Sequence, residues 1–238
     1  MGPREKLIVA LDVSSAAAAR KIVAAIGDSA VTYKVGLQLY TAEGPQVVRD
    51  LISSGRQVFL DLKYHDIPNT VAAAVRGAAG LGVEMLTVHT LGGQKMLRAA
   101  TEAAAAVNPQ IRVVAVTVLT SMDDSELGQV GIQEGILSEV MRLADLAASA
   151  GCHGVVASAQ EASAIRKKLG ESFLIVTPGV RPEGSARGDQ ARVVTPAQAI
   201  TAGASHIVVG RPIIEAADPA QAAREILVQM ESALSVNS

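Results

Sequence analysis

The chain has few aromatic residues, one cysteine and no long apolar run, and each shortage excludes a class of protein. Phe, Trp and Tyr make up 2% of the 238 residues and Trp is absent, so a core must be built from Ala, Val, Ile and Leu. The single Cys152 cannot form an internal disulfide or a cysteine metal cluster. This favours a reducing compartment and predicts a cytoplasmic protein. No apolar run approaches the ~20 residues of a membrane span, so we expect no membrane partner.

The charged residues argue against two further classes of protein, those that bind nucleic acid and those that are secreted. The net charge is −2, without a long basic run, which argues against a nucleic-acid partner. The charged residues Arg4, Glu5 and Lys6 precede an apolar run at 7–11 that is too short for a secretory signal, and we expect none. Hydrophobic residues make up 49% and charged residues 18%, which is typical of a folded protein with a large core.

Eight short apolar runs alternate with Ala-rich stretches of helical spacing. Runs rich in Val, Ile and Leu without polar alternation are typical of parallel strands covered on both faces. The pattern predicts an α/β protein with a single (β/α)8 TIM barrel spanning residues 1–238. An open, doubly wound sheet is the alternative, although residues 12–15 lack its Gly-x-Gly-x-x-Gly turn. The predicted strands are 7–11, 31–36, 57–60, 85–89, 111–119, 154–157, 173–177 and 206–210, and predicted helices include 16–26, 45–54, 70–81, 93–107 and 220–234.

The segment after the third run has an unusual density of charge. Asp61 and Lys63 follow a run that reads as a buried strand, where charge is costly unless it is paired or used. Residues two apart in a strand face the same way, so these two side chains share one face. Asp66 follows on the next turn, where Pro68 prevents the strand from continuing. A structural ion pair is the alternative to a functional site.

Other predicted strands also end in polar or charged residues. In a barrel these strand ends meet at the carboxyl-terminal face, where such folds place their chemistry. A stabilising network of charges remains the alternative interpretation. The residues are Asp12, Lys34, Asp61 with Lys63, His89, Thr117 with Thr120, Thr177 with Pro178, and Gly210 with Arg211.

A phosphate site is expected after the last two strands, where barrels of this kind often bind phosphate. Gly210 allows close approach to a ligand, and Arg211 can hold phosphate through two bonds. The Gly-rich stretch from Arg181 to Gln190 could close over the same anion. A surface arginine on a turn is the simpler alternative.

The histidines do not predict a metal site. His89 could be a proton carrier or an ordinary strand-end residue. His153 and His206 precede or begin strands, at the opposite end of the barrel. No arrangement pairs histidines and carboxylates as metal ligands, so no metal is expected.

Taken together, these segments resemble the orotidine 5′-phosphate decarboxylase family along the whole chain. The segment 61–70, Asp-Leu-Lys-Tyr-His-Asp-Ile-Pro-Asn-Thr, is the most specific, since Asp-x-Lys alone is shared with related sugar-phosphate enzymes. No position needed for the resemblance departs from the family pattern. The other segments are 11–12, 33–36, 177–181, 188–192 and 209–213.

The resemblance implies conversion of orotidine 5′-monophosphate to uridine 5′-monophosphate and CO₂, the last step of pyrimidine nucleotide synthesis. It implies no metal and no organic cofactor. By resemblance, Lys34, Asp61, Lys63 and Asp66 form an alternating charged tetrad. The family chemistry requires Lys63 to stabilise a carbanion and then protonate it, with Asp61 near the departing carboxylate.

The resemblance also assigns substrate contacts and a partner. Asp12 is expected at the base or ribose, and Thr120 at the base with Pro178 against it. Gln190 and Arg211 are implied as phosphate ligands. A homodimer is implied in which Asp66, Ile67 and Thr70 reach the neighbouring subunit's site.

Two other functions remain open at this point. A metal-assisted decarboxylase or aldolase acting on a sugar phosphate would share Asp61, Lys63 and the phosphate loops. A non-catalytic nucleotide-binding barrel would need Arg211 and Gln190, but it gives no reason for a lysine between two carboxylates.

Overall fold

The computed structural model describes residues 2–182 and 193–236, and its eight strands form a closed parallel barrel. Each strand pairs with the next, and β8 pairs with β1. The predicted barrel is confirmed, and the open doubly wound sheet is wrong. The strands are β1 Leu7–Ala10, β2 Thr32–Gly36, β3 Gln57–Tyr64, β4 Met85–His89, β5 Arg112–Val116, β6 Gly154–Val156, β7 Leu174–Thr177 and β8 His206–Val209.

The helices cover the outside of the barrel, and some begin at a capping side chain. Ser15 accepts a hydrogen bond from the amide of Ala18 and so caps the start of α2. The helices are α1 Pro3–Lys6, α2 Ala16–Ile26, α3 Leu37–Glu43, α4 Gln46–Ser53, α5 Pro68–Ala79, α6 Gly93–Val107, α7 Asp124–Gln129, α8 Ile136–Ser149, α9 Ala159–Leu169, α10 Pro196–Thr201, α11 Arg211–Ile214 and α12 Pro219–Val236. None of them combines the length and the apolar character needed to cross a membrane, in the part of the chain described.

Alternation along the strands separates an inner from an outer set of apolar side chains. The outer set packs against the helices and forms the larger core. The inner set fills the barrel, which is therefore a packed core rather than a pore. Its buried members are Ile8, Ala10, Phe59, Met85, Val114, Val176 and Val208.

Strand β3 is longer than predicted and contains a bulge. Leu60 pairs with Leu86 and Tyr64 pairs with Val88, so three residues of β3 lie opposite the single Thr87 of β4. A bulge of this kind changes the direction of the side chains that follow it. Because β3 extends to Tyr64, Asp61 and Lys63 belong to the strand itself and not to the turn beyond it. Strand β5 is shorter than predicted and ends at Val116 instead of residue 119.

At the amino-terminal end of the barrel, one guanidinium group connects three segments. The two terminal nitrogens of Arg166, on α9, donate to the carbonyl oxygens of Gly170, Phe173 and Gly203 at 2.7–2.8 Å. Arg166 also donates to Ser205 Oγ at 2.9 Å. The residue thus ties the end of α9 to the segments that enter β7 and β8.

His206 lies at this same end, at the start of β8, as predicted. It is buried, and no hydrogen-bond partner for its Nδ1 is found among the described residues. Burial lowers its pKa to about 4, and the positive charges of Arg112 and Lys6 act in the same direction. Cys152 is also buried, and burial raises the pKa of its thiol to about 12.

Candidate active site

A cavity of about 530 Å³ opens at the carboxyl-terminal end of the barrel. It lies above the apolar interior and is bounded by residues of β1, β2, β3, β5, β6, β7 and β8. Nine of the residues predicted for the site line it: Asp12, Lys34, Asp61, Lys63, Thr120, Pro178, Arg181, Gly210 and Arg211.

Four of these side chains form a row of alternating charge. Lys34 Nζ lies 2.8 Å from Asp12 Oδ1 and 3.8 Å from Asp61 Oδ2. Lys63 Nζ lies 2.8 Å from the same Asp61 oxygen. Lys34 and Asp61 are mostly buried, whereas Asp12 and Lys63 are more open to the cavity. The row therefore holds two ammonium groups in fixed positions along one wall of the cavity.

The position of Lys34 depends on the glycine that ends β2. A Cβ atom placed on Gly36 would lie 2.9 Å from Lys34 Nζ and 3.5 Å from Asp12 Oδ1. Any other residue here would have to displace the ammonium group. Gly36 thus leaves room for the ion pair between the ends of β1 and β2.

The backbone of Lys63 adopts the left-handed conformation, with φ at 50°. Among the described residues, no other residue except glycine has a positive φ. Such a conformation costs about 1–3 kcal/mol and persists where surrounding contacts enforce it. Here the Lys63 amide donates to Thr87 Oγ1 at 2.8 Å, and that hydroxyl donates to Asp61 Oδ1 at 3.0 Å.

Two histidine rings stack beside the cavity. The centroids of His65 and His89 are 5.4 Å apart, with 21° between the ring planes. Burial lowers the pKa of His89 to about 4, and His65 and Lys63 add to the effect. Its Nδ1 accepts a hydrogen bond from the amide of Leu91 at 3.3 Å. His89 is therefore neutral near pH 7 and is not set up to deliver a proton there.

Three predicted site residues lie outside the cavity of their own chain. Asp66, Ile67 and Thr70 are exposed on the turn after β3 and at the start of α5. The Ile67 amide donates to Asp66 Oδ1 at 2.6 Å, which fixes the carboxylate on this turn. The side chain of Ile67 is 66% exposed.

The expected phosphate-binding end is only partly described. Arg211 begins α11 directly after Gly210 and lines the cavity. Arg181 is buried, and its Nη1 donates to the carbonyl oxygen of Val180 at 3.0 Å. Gln190 lies outside the described residues. Thr120 and Pro178 line the same cavity, on the loops after β5 and β7.

Several lining or supporting residues were not identified from the sequence. Gln38 and Ser121 line the cavity, and Thr87 supports two of its charged residues. Thr87 precedes His89 by two positions, so the strand period would have placed it on the face of the other strand-end groups. In residues 2–182 and 193–236, no three His, Cys, Asp or Glu side chains are grouped closely enough to hold a metal ion.

Comparison with known proteins gives a family for this arrangement. Residues 5–226 match the family model described as orotidine 5′-phosphate decarboxylase / HUMPS family. The chain belongs to this family. The family predicted from the sequence, and with it the assignment to the decarboxylating enzymes, is confirmed.

Individual members of the decarboxylase family match along nearly their whole length. The orotidine 5′-phosphate decarboxylase of Moorella thermoacetica is 52% identical over 237 residues, covering 97% of this chain and 94% of the relative. The enzyme of the same name from Halorhodospira halophila is 51% identical over 228 residues, covering 96% and 97%. The crystal structure of orotidine 5′-phosphate decarboxylase from Lactobacillus acidophilus superposes with a TM-score of 0.85 at 37% identity, covering 95% and 99%.

Proposed function

We propose that this chain decarboxylates orotidine 5′-monophosphate to uridine 5′-monophosphate, with Lys63 as the cationic stabiliser and proton donor. The observation that carries the proposal is the row Asp12–Lys34–Asp61–Lys63 on the wall of a nucleotide-sized cavity. The names of the relatives at 51% and 52% identity support the substrate.

The reaction exchanges one bond for another at C6 of the pyrimidine. The bond between C6 and the carboxylate carbon breaks, its electron pair stays on C6, and CO₂ leaves. The ammonium group of Lys63 then donates a proton to C6, and the resulting amine recovers a proton from water. No electron donor or acceptor is required for this step.

The row of charges suits the demands of this step. The carbanion at C6 is poorly delocalised by the ring, so a cation fixed beside it lowers the barrier. Asp61 holds Lys63 Nζ at 2.8 Å before the reaction begins, so little reorganisation is needed. The same group is an acid within reach of C6, which combines electrostatic stabilisation with proton transfer. Asp61 would also face the substrate carboxylate, and the repulsion is relieved as CO₂ departs.

The remote end of the nucleotide supplies binding energy. We assign the phosphate to Arg211 and Gln190, with Arg181 and Gly210 beside them, and the base to Thr120 and Pro178. Contacts far from C6 can hold the ring in the reactive position, so they contribute to turnover as well as affinity.

We further propose a homodimer that shares its sites. The exposed Ile67, with Asp66 and Thr70 nearby, forms a surface outside the cavity of its own chain. In the dimer these three residues would complete the cavity of the neighbouring subunit. Asp66 would then extend the alternating row by one more negative charge.

Reaction without a metal distinguishes this proposal from the sugar-phosphate alternative. The Asp12 and Asp61 carboxylates each face an ammonium nitrogen at 2.8 Å, and those positive charges oppose binding of a divalent cation. Metal-independent turnover, the cytoplasmic location and the single-domain organisation remain predictions from the sequence.

Ultraviolet absorbance during incubation with orotidine 5′-monophosphate tests the function directly. We expect loss of the substrate spectrum, formation of uridine 5′-monophosphate and release of one CO₂ for each substrate. The rate should be unchanged after exhaustive dialysis against a strong chelator. Loss of activity that Mg²⁺ restores would favour the sugar-phosphate alternative, and binding of uridine 5′-monophosphate without any turnover of substrate would favour a binding module.

A further inference from the structure

Thr87, on β4, contacts two of the charged site residues but does not line the cavity. Its side chain is fully buried. It faces the barrel interior, since Leu86 and Val88 on either side belong to the outer core. A buried threonine at this place could be replaced by valine without loss of volume if only packing mattered, so its hydroxyl needs a separate explanation.

The bulge in β3 explains why a hydroxyl group is needed at position 87. Between the pairs Leu60–Leu86 and Tyr64–Val88, the three residues from Asp61 to Lys63 lie opposite Thr87 alone. One residue cannot offer regular backbone partners to three, so the ladder is interrupted here. The amide of Lys63 donates instead to the Thr87 side chain, at 2.8 Å. The hydroxyl thus replaces a missing backbone acceptor, which a buried amide needs.

The same hydroxyl also orients the carboxylate of the site. Because Thr87 Oγ1 accepts from the Lys63 amide, its own proton is free to point to Asp61 Oδ1, 3.0 Å away. The other oxygen of Asp61 binds Lys63 Nζ at 2.8 Å. Backbone amide, hydroxyl, carboxylate and ammonium therefore close a ring of three hydrogen bonds. Each member fixes the next, and the strained φ of Lys63 lies within the ring.

We infer that Thr87 is a positioning residue for the reaction, which acts through Asp61 and Lys63 without touching substrate. This inference rests on the proposed decarboxylation. With valine at position 87, the Lys63 amide loses its acceptor and Asp61 Oδ1 loses its donor. The Lys63 ammonium group would then no longer be held where C6 of the substrate lies.

The test compares three variants for kcat, KM and the Kd of uridine 5′-monophosphate. Thr87→Val should lower kcat about 10- to 100-fold, the usual effect of a slight misplacement of a reacting group. KM and the Kd of the product should change much less, because phosphate and base are bound elsewhere. Thr87→Ser keeps the hydroxyl and should retain most of the wild-type kcat.

Thr90→Val is the matched control. Thr90 is equally buried, three residues further along, and its Oγ1 donates to the carbonyl oxygen of Val116 at 2.6 Å. This variant also loses one buried hydrogen bond, but it leaves Asp61 and Lys63 untouched. Its kcat should stay near that of the wild type even if its thermal stability falls as much as that of Thr87→Val.

Hydrogen exchange at the Lys63 amide measures the contact without relying on activity. By nuclear magnetic resonance, this amide should exchange faster in Thr87→Val and at the wild-type rate in Thr87→Ser and Thr90→Val. If valine prevents folding, Thr87→Ala makes the same comparison without a misplaced methyl group.

Three results would overturn the inference. They are a normal kcat in Thr87→Val, an equal loss of kcat in Thr87→Ser, and unchanged exchange of the Lys63 amide. Failure of the wild-type chain to decarboxylate the substrate is a different outcome. It would reject the proposed function, while the exchange measurement would still report whether Thr87 holds the Lys63 backbone.

Discussion

At the scale of single residues, Lys63 joins a strained backbone to an ammonium group held by Asp61. Glycine would relieve the strain, and the proposed role of the amine would account for a long cationic side chain at this position. The strain also means that the surrounding contacts, and not the preference of lysine, set its backbone conformation.

Lys63→Ala should lower kcat by about a thousandfold or more, because cation and proton donor are lost together. The alanine keeps a Cβ atom and hence the same backbone preference, so circular dichroism and the melting temperature should change little. Lys63→Arg separates the role of the cation from that of the proton donor, since arginine keeps the charge but does not release a proton near neutral pH. A near-normal kcat in Lys63→Ala would reject the assigned role.

Arg211 is expected to recognise the phosphate and little else. Arg211→Ala should raise the Kd of uridine 5′-monophosphate about 10- to 100-fold, the usual range for a hydrogen bond to a charged group. The Kd of uridine, which has no phosphate, should be nearly unchanged. Titration calorimetry with both ligands makes the comparison within one variant, and equal losses for the two would show that Arg211 acts elsewhere.

At the scale of secondary-structure elements, the two ends of the barrel have different tasks. The carboxyl-terminal end holds the charged cavity, whereas Arg166 ties α9 to the segments entering β7 and β8 at the other end. In barrels of this kind the amino-terminal face contributes to stability and the opposite face to chemistry. Substitutions at the two ends should therefore separate these properties.

Arg166→Ala should lower the free energy of unfolding by about 2–4 kcal/mol, since it leaves three carbonyl oxygens without this donor. The kcat should remain that of the wild type. Arg166→Lys is the companion variant. It should restore only part of the lost free energy of unfolding, because one ammonium group cannot reach all the acceptors that the planar guanidinium group spans. Denaturant unfolding and a steady-state assay measure the two effects. A loss of kcat without loss of stability would contradict the division between the two ends.

The structure of β3 also shows where prediction from the sequence ends. Asp61 and Lys63 are recognisable because charged residues stand out in an apolar strand. Thr87 does not stand out, because threonine is ordinary in a strand and its role depends on a bulge in the neighbouring chain segment. Helix α3 was not identified either, since it is short and begins directly after Gly36, without an intervening loop.

At the scale of the whole molecule, the alternation of strands and helices follows from the sequence, because eight apolar runs alternate with helical segments. That the sheet closes into a barrel is shown by the pairing of β8 with β1. The sequence also predicts that the charged residues meet at one end of the barrel, since all strands are parallel. The relation of Asp66, Ile67 and Thr70 to a second subunit does not follow from residue patterns. It came from the family resemblance, and in the single chain these residues only lie exposed.

The stability of the fold should fall as the pH is lowered from about 6.5 to about 4. The pKa of His206 is about 4 in the folded chain and near 6.5 in the unfolded chain. In this window the unfolded state binds a proton that the folded state does not, so unfolding is favoured as pH falls. His89 and His153, whose pKa values are also lowered, act in the same direction.

Denaturant unfolding of the wild type and of His206→Gln at pH 7 and pH 5 isolates one contribution. Between these pH values, His206 alone should account for about 2 kcal/mol of the loss in the wild type. The variant should show a correspondingly smaller loss. Parallel losses in the two proteins would mean that His206 is protonated in both states.

A mixture of two inactive homodimers tests the shared site. Lys63→Ala and Asp66→Asn should each be severely impaired, whereas a mixed dimer has one site with both native residues and one with both lesions. Random exchange makes half of the dimers mixed, so activity per chain should recover to about a quarter of wild type. Mass spectrometry checks that mixed dimers form. If they form without any recovery, both residues act within one chain.

The packed interior has a consequence for how ligands enter and leave. Ile8, Phe59 and Val114 help to fill the barrel beneath the cavity, so in the described part of the chain no passage leads through it to the amino-terminal end. In the proposed reaction, substrate, nucleotide product and CO₂ would all use the carboxyl-terminal opening. A bound product molecule therefore blocks the next substrate, and product inhibition should be competitive.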